Sequence, residues 1–207
     1  MQYDKKIGLV ILILVLVAAG LIITKIDPRT GEKTQPPLTE VTPLPEVPPK
    51  GDNLVFENSD LGIKLGYPEN FSPVECILED DVICLDETAK SSRLSTKPDI
   101  RLYRIRLENT GDYKQVMMGD VIFDASGLSP ESFEEFVPIV AGGNSFYKIK
   151  TGLFEGILTY KYFLVRNSDI LVFEVTSSPA GWTEEGYDPE KDELNRQFLE
   201  MTGSMEL

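Results

Sequence analysis

The chain has 207 residues, with 34 acidic and 20 basic side chains and a formal net charge of −14. It contains no histidine and only two cysteines, which excludes Ser-His-Asp and Cys-His catalysis and removes the commonest transition-metal ligand. The negative charge works against nucleic acid, because the phosphate backbone repels it. We therefore expect no nucleic-acid partner, and no motif indicates a cofactor.

A long apolar run opens the chain. Ile7 to Thr24 has 18 residues without a charge, and a helix of that length rises about 27 Å, which is enough to span the hydrocarbon core. Residues 1–26 are therefore predicted to form a single-pass transmembrane anchor. The alternative is a cleaved signal peptide, in which Val17 to Ala19 precede a cut at Gly20 and the protein is secreted.

A proline-rich segment follows the anchor. Seven of the fourteen prolines lie between Pro28 and Lys50, and proline favours an extended, semi-rigid chain. Residues 27–50 are interpreted as a linker, with recognition by a proline-binding partner as the alternative. Residues 51–207 form the predicted globular domain, and they carry 29 acidic and 14 basic residues, a net charge of −15.

The domain opens with two predicted strands. Leu54 to Phe56 is apolar, and Ile63, Leu65 and Tyr67 then alternate with small or polar residues up to Pro68. A period of two is typical of a half-buried strand.

The two cysteines lie in the stretch CILEDDVIC, at Cys76 and Cys84. A hairpin with a loop at Glu79 to Asp81 would place them opposite each other, at a spacing that a disulfide can bridge. Two reduced cysteines, or a metal or redox pair, are the alternatives. A disulfide favours an oxidising compartment, so we expect the N-terminus in the cytoplasm and the domain outside the plasma membrane.

The next predicted strand, Ile100 to Leu107, carries the domain's one basic cluster, Arg101, Arg104 and Arg106. These arginines either pair with the acidic surface or bind an anionic partner. Short strands are then predicted at 115–118 and 121–123. A helix is predicted from an N-cap at Ser129, and it ends at Pro138.

The clearest strand pattern is a long hairpin formed by residues 153–165 and 170–175. Both faces of its arms are largely apolar, which predicts a central position in a sheet covered on both sides. Asp188 is a predicted N-cap for a C-terminal helix with Leu194, Phe198 and Met201 on one side. Residues 204–207 could add a last strand.

Two acidic groups are candidate metal ligands, although neither matches a calcium loop. One group is Asp80 and Asp81, and the other is Glu184, Glu185 and Asp188. Trp182 lies beside the second group; it either packs against the core or stands exposed as a partner-binding residue.

The domain combines three features in a fixed order. They are an opening strand with Gly62, Ile63, Leu65, Tyr67, Pro68 and Phe71, a Ser-Pro-Glu-Ser-Phe-Glu-Glu-Phe segment, and the long hairpin followed by a helix. This combination resembles the Mog1/PsbP-like domains. This resemblance implies an α+β fold, in which an antiparallel sheet lies between helical layers in an α/β/α sandwich. Members of the family bind protein partners or support larger assemblies, and none of their functional residues can be placed on this chain.

The sequence thus predicts a non-enzymatic, membrane-tethered binding or accessory module of the cell envelope, whose partner is an envelope protein or an extracellular ligand. Calcium binding by the acidic loops is one alternative function. A carboxylate-based hydrolase is another, and it would require a concave site with two facing carboxylates, one of them with a raised pKa.

Overall fold

The computed structural model describes residues 53–88 and 97–207. This part of the chain contains nine strands and two α-helices. Their order is β1 (Leu54–Asn58), β2 (Ile63–Tyr67), β3 (Phe71–Val74), β4 (Asp81–Glu87), β5 (Ile100–Arg106), α1 (Tyr113–Asp120), β6 (Val137–Ala141), β7 (Asn144–Phe154), β8 (Ile157–Val165), β9 (Asp169–Ser177) and α2 (Glu193–Thr202). The predicted anchor at Ile7 to Thr24 and the linker lie outside the described residues. Within the described ranges, no helix is long and apolar enough to cross a membrane.

Seven strands form one antiparallel sheet in the order β3-β4-β5-β9-β8-β7-β6, and β1 and β2 form a separate ribbon. The central strands β8 and β9 are rich in β-branched and aromatic residues, and every residue of β9 is buried. The predicted α+β class with an antiparallel sheet is therefore confirmed.

Each face of the sheet is covered by a different helix. On one face, Tyr162 of β8 and Phe173 of β9 pack with Phe198 of α2 and with the β1–β2 ribbon. On the other face, Phe163 of β8 packs with Met117 of α1. We call these the α2 face and the α1 face. The alternation of neighbouring residues between two apolar layers explains why the sequence pattern of the long hairpin is apolar on both sides.

The strand predicted at 115–118 is instead part of the helix α1, and residues 121–123, predicted as a second strand, follow this helix without forming a strand. Met117 and Val121 are four residues apart and are both fully buried in the core of the α1 face. The prediction was wrong because a short apolar run does not reveal its period, and tertiary packing decided between helix and strand.

The helix predicted from Ser129 is also absent from the described chain. Ser132 caps a single 3-10 turn, Phe133–Glu135, and the Glu135 side chain accepts from the Ser132 backbone N–H. β6 begins two residues later and contains Pro138. Because β6 is an edge strand, the missing N–H of the proline leaves no gap inside the sheet.

Two predicted hairpins have different boundaries in the structure. Residues 153–165 are not one strand, because Glu155 and Gly156, with φ of 51° and 79°, form the turn between β7 and β8. In the cysteine hairpin, β4 pairs Cys84 with Val74 rather than with Cys76. Residues 75–80 form the loop, which is longer than the predicted three residues.

The C-terminal helix is found close to its predicted position. Asp192 caps α2, whereas Asp188 caps a 3-10 turn, Pro189–Lys191, just before it. Leu194, Phe198 and Met201 are buried as predicted. The predicted last strand is reduced to a single bridge between Lys64 and Glu206.

Candidate functional site

Three charged side chains lie side by side on the α1 face, on the three central strands. Arg101 of β5 is opposite Glu174 of β9, and Glu174 is opposite Lys161 of β8. Arg101 Nη2 donates to Glu174 Oε2 at 3.0 Å, and Lys161 Nζ lies 3.8 Å from the same oxygen. Since the Lys161 and Glu174 side chains are only 11% and 7% exposed, each charge depends on the other for compensation.

The Lys161 ammonium has acceptors for all three of its N–H groups. It donates to Tyr103 Oη at 2.9 Å, and to the backbone oxygen and Oδ2 of Asp120, each at 2.8 Å. The Tyr103 hydroxyl donates to Asp120 Oδ2 at 2.6 Å. Burial, and then the Asp120 carboxylate, raise the pKa of Tyr103 far above its ordinary value. Tyr103 therefore stays protonated and acts as a hydrogen-bond donor.

Asp81 extends this network to the start of β4. Its side chain is 2% exposed, and Arg101 Nε lies 3.5 Å from Asp81 Oδ1. The Leu78 N–H donates to Asp81 Oδ2 at 3.3 Å, which holds the cysteine loop against the carboxylate. Burial raises the pKa of Asp81, and the Arg101 charge opposes that rise only in part. With Lys97 at 3.3 Å from Glu174 Oε1, the network contains three carboxylates and three cations.

A cleft of about 710 Å³ opens beside this network. Its walls are formed by residues 79–82 at the start of β4, residues 103–106 at the end of β5, Asn58 and Asp120. Arg104 is half-buried and Arg106 is exposed, and neither makes an ion pair or a side-chain hydrogen bond within residues 53–88 and 97–207. The cleft lining therefore carries both signs of charge, because Arg104 and Arg106 share it with four carboxylates: Glu79, Asp80, Asp81 and Asp120.

The three predicted arginines therefore have different roles. Alternation along β5 directs Arg101 to the α1 face, where it joins the network, and directs Arg104 and Arg106 to the other face. The sequence predicted a basic cluster, and the structure divides it between a paired arginine and two that line the cleft.

Cys76 and Cys84 lie at disulfide distance, with their Cα atoms 5.4 Å apart and their sulfurs bonded, so the predicted pair is confirmed. In the described part of the chain, one group of three ligand-type residues lies close enough to share an ion: Cys76, Asp81 and Cys84. Because the sulfurs are bonded to each other, this group offers no thiolate. Asp80 is exposed beside it and does not join the group.

The second acidic group lies in the loop between β9 and α2. Glu184 and Glu185 are exposed, and Asp188 pairs with Lys191 at 3.2 Å. The hydrogen bond from Lys191 holds the pKa of Asp188 below its ordinary value. Trp182, in the same loop, is 37% exposed and is not among the cleft residues. The structure does not bring this loop together with the arginines of the cleft.

Five residues of the charged network were not predicted from the sequence: Lys97, Tyr103, Asp120, Lys161 and Glu174. A signal was present for two of them, because Lys161 and Glu174 are single charges inside otherwise apolar strands. A charged residue in a central strand is rarely buried without a partner. The positions of Asp120 and Tyr103 next to Lys161 depend on the packing of α1, which the sequence pattern did not predict.

The cleft also bears on hydrolysis by two carboxylates. Asp81 and Asp120 both line it, and the pKa of Asp81 is raised. However, Asp81 faces Arg101, and Asp120 accepts from both Tyr103 and Lys161. These two carboxylates of the cleft wall are therefore already held by donors from the domain itself.

No protein-family model matches the chain, and no curated protein matches it. Among solved structures, the cyanobacterial PsbP from Synechocystis is similar with a TM-score of 0.43 and 12% identity, over 80% of this chain and 99% of that chain. A protein from Bacteroides thetaiotaomicron is similar with a TM-score of 0.42 and 8% identity, over 70% of this chain and 44% of that chain. This chain therefore spans less than half of the Bacteroides protein, and neither likeness transfers a function or a site residue.

Proposed function

We propose that the chain is a non-enzymatic binding module of the cell envelope, with a PsbP-like domain tethered outside the plasma membrane by residues 1–26 and a linker at 27–50. Membership in the Mog1/PsbP-like family rests on the residues between Gly62 and Phe71 and on the order of the elements. The tether rests on the apolar run in the sequence.

The observation that carries the proposal is the cleft with Arg104 and Arg106. Arg104 is half-buried and makes no ion pair with another described residue, and the exposed Glu79 and Asp80 line the same cleft. A concave site with charged side chains of both signs favours a partner with a complementary charge pattern. The cleft volume of about 710 Å³ lies within the usual range for binding sites.

Calcium binding by the acidic loops has less support. Asp81 pairs with Arg101 and Asp188 pairs with Lys191, so each of these carboxylates already has a cation. A calcium site requires several oxygen ligands that converge on one point. A calcium titration that leaves the melting temperature unchanged would agree with this ranking.

The binding proposal can be tested in cells with a photo-crosslinking amino acid. We would place it at Val82, in the wall of the cleft, and at Leu128, an exposed control position outside the cleft. We expect a crosslink to an envelope component at Val82 that is missing at Leu128, with the component identified by mass spectrometry. Equal or absent crosslinking at both positions would contradict binding at the cleft.

The membrane-tether part of the proposal needs a separate measurement. The full chain is expected to stay with membranes after carbonate extraction, and external protease should reach the domain in intact spheroplasts. A chain that is released by carbonate, or a domain that is protected from the protease, would contradict the proposed placement.

A further inference from the structure

The two sulfurs of the Cys76–Cys84 disulfide have different environments. Cys84 lies in β4 and is 1% exposed, whereas Cys76 lies in the loop at 75–80 and is half-buried. A thiolate of another molecule therefore reaches the sulfur of Cys76 more readily than that of Cys84. The rate of thiol–disulfide exchange depends on which sulfur is attacked and on how well the other sulfur leaves. An attack at Cys76 would release Cys84 inside the domain.

A buried carboxyl group lies beside the sulfur that would be released. Asp81 Oδ2 is 3.8 Å from Cys84 Sγ, and the Asp81 side chain is 2% exposed. The other oxygen, Oδ1, lies 3.5 Å from Arg101 Nε. Because burial raises the pKa of Asp81, its carboxyl group keeps a proton at a higher pH than that of an exposed aspartate. Asp81 is therefore placed to give a proton to a Cys84 thiolate.

The loop around the accessible sulfur presents two apolar side chains to solvent. Ile77 and Leu78 follow Cys76 directly, and they are 70% and 53% exposed. The Leu78 N–H donates to Asp81 Oδ2 at 3.3 Å, which fixes this part of the loop beside the carboxyl group. Adjacent exposed apolar side chains provide a contact for a protein chain next to the accessible sulfur.

We propose that Cys76–Cys84 is an exchangeable disulfide that oxidises a pair of thiols in a partner protein, with Cys76 as the attacked residue and Asp81 as the proton donor to Cys84. This activity goes beyond the binding function proposed above and does not depend on Arg104 or Arg106. Common oxidoreductases use Cys-x-x-Cys, so the inference rests on the surroundings of the two sulfurs rather than on a motif.

The exchange takes place in two steps. A partner thiolate attacks Cys76 Sγ, a mixed disulfide forms, and Cys84 leaves with the electron pair and takes the proton of the Asp81 carboxyl group. The second partner thiolate then attacks the partner sulfur of the mixed disulfide, and Cys76 leaves as a thiolate. Water protonates Cys76 and returns a proton to Asp81. The partner is oxidised to a disulfide, and the two cysteines are reduced by two electrons.

The first test uses the full, oxidised chain in detergent and a reduced peptide that has two cysteines in an apolar sequence. The reaction is stopped with acid at intervals, and the products are measured by mass spectrometry after alkylation. We expect the chain to oxidise the peptide about tenfold faster than oxidised glutathione does at the same concentration. A rate no higher than that of oxidised glutathione would show a structural disulfide and overturn the proposal. If the Val82 crosslink still forms, only this inference fails.

A matched pair of variants tests which sulfur is attacked. C84S and C76S each lack the disulfide and keep one thiol, and circular dichroism must match for the two. The thiol of C84S should form a mixed disulfide with a peptide that carries an activated disulfide, at least about tenfold faster than the buried thiol of C76S. Equal rates would contradict the assignment of Cys76 as the attacked residue.

The role of Asp81 is measured with D81N, through the ratio of the wild-type rate to the variant rate at each pH. The charged groups that face Asp81 are Arg101 of β5, Glu174 of β9 and Asp80 of the loop, and they stay in place in the variant. Because the protonated carboxyl group is the donor, the ratio should be highest at low pH and fall as the pH rises through the raised pKa. A ratio that is constant with pH would show that Asp81 is only structural.

Discussion

Lys161 and Glu174 show how much depends on single residues in this domain. Each is the one charged residue in the interior of its strand, and the two lie opposite each other in register. Had either strand shifted by one residue, a charge would be buried on the wrong face without a partner. The network therefore favours one register of the central hairpin.

Replacing Lys161 with methionine should lower the free energy of unfolding by about 3 to 5 kcal/mol, because Asp120 and Glu174 would remain buried without their cation. Methionine keeps most of the side-chain volume. In urea denaturation, the double variant K161M/E174Q should lose less than the sum of the two single variants. Additive losses would show that the two groups do not interact.

Replacing Asp81 with asparagine should change how stability depends on pH. The folded-state pKa of Asp81 is raised above its ordinary value of 3.8 by burial. Between these two values the folded state binds more protons than the unfolded state, so this group lowers stability as the pH rises. Asparagine has no such titration and can still accept from the Leu78 N–H.

We therefore expect the stability of the wild type relative to D81N to fall as the pH rises from about 4 through the raised pKa, and then to stay level. Urea denaturation of both proteins over this range measures the difference. A relative stability of the wild type that rises with pH would mean that the attraction of Arg101 outweighs burial, and that the expected direction is wrong.

Among the elements of secondary structure, the strands with a clear period of two and the amphipathic helix α2 were predicted, and the short helix α1 was not. β2, β5, β8 and β9 follow the alternation of their sequences. α1 has eight residues and one fully buried side chain, Met117. So short a helix is stabilised by its contact with the sheet rather than by its own propensity, and its sequence therefore carries little signal.

The turn between β6 and β7 shows a similar dependence on contacts. Gly142 and Gly143 both have positive φ, at 58° and 79°. A Cβ on Gly142 would lie 1.9 Å from the Thr202 backbone oxygen at the end of α2, whereas a Cβ on Gly143 would meet nothing within 4 Å. The two glycines share a conformational requirement but only Gly142 is packed.

Replacing Gly143 with alanine should lower the free energy of unfolding by about 1 to 2 kcal/mol, because of its left-handed backbone alone. Replacing Gly142 with alanine should lower it by about 1 to 3 kcal/mol more than that, because the turn or α2 must also move. Thermal and urea unfolding of the two variants measure this difference. Equal losses would show that α2 shifts without cost.

For the molecule as a whole, the disulfide links the fold to its compartment. The bond joins the loop at 75–80 to β4, next to the buried Asp81 and the cleft. A bond that forms and persists in this position is typical of an oxidising environment.

When the full chain is expressed with export, we expect Cys76 and Cys84 to be alkylated only after reduction, as measured by mass spectrometry. Replacing Cys76 with serine and Cys84 with alanine should lower the free energy of unfolding by about 2 to 3 kcal/mol in the chain-entropy model. Reduced wild type is the matched control for the substitutions. Free thiols in the exported, folded chain would contradict the extracytoplasmic placement.

The period of the apolar residues was enough to predict the strands of the central hairpin, the position of α2 and the α+β class. The presence of only two cysteines, eight positions apart, was enough to predict their pairing. Three other features became clear only from the contacts between elements. Residues 113–120 form a helix, and β4 stops short of the end of β5. Arg101 pairs with Glu174, whereas Arg104 and Arg106 form no ion pair with another residue of the described ranges. Each of these depends on a neighbouring strand or helix that is distant in sequence, and alternation within one segment does not encode which segment lies beside it.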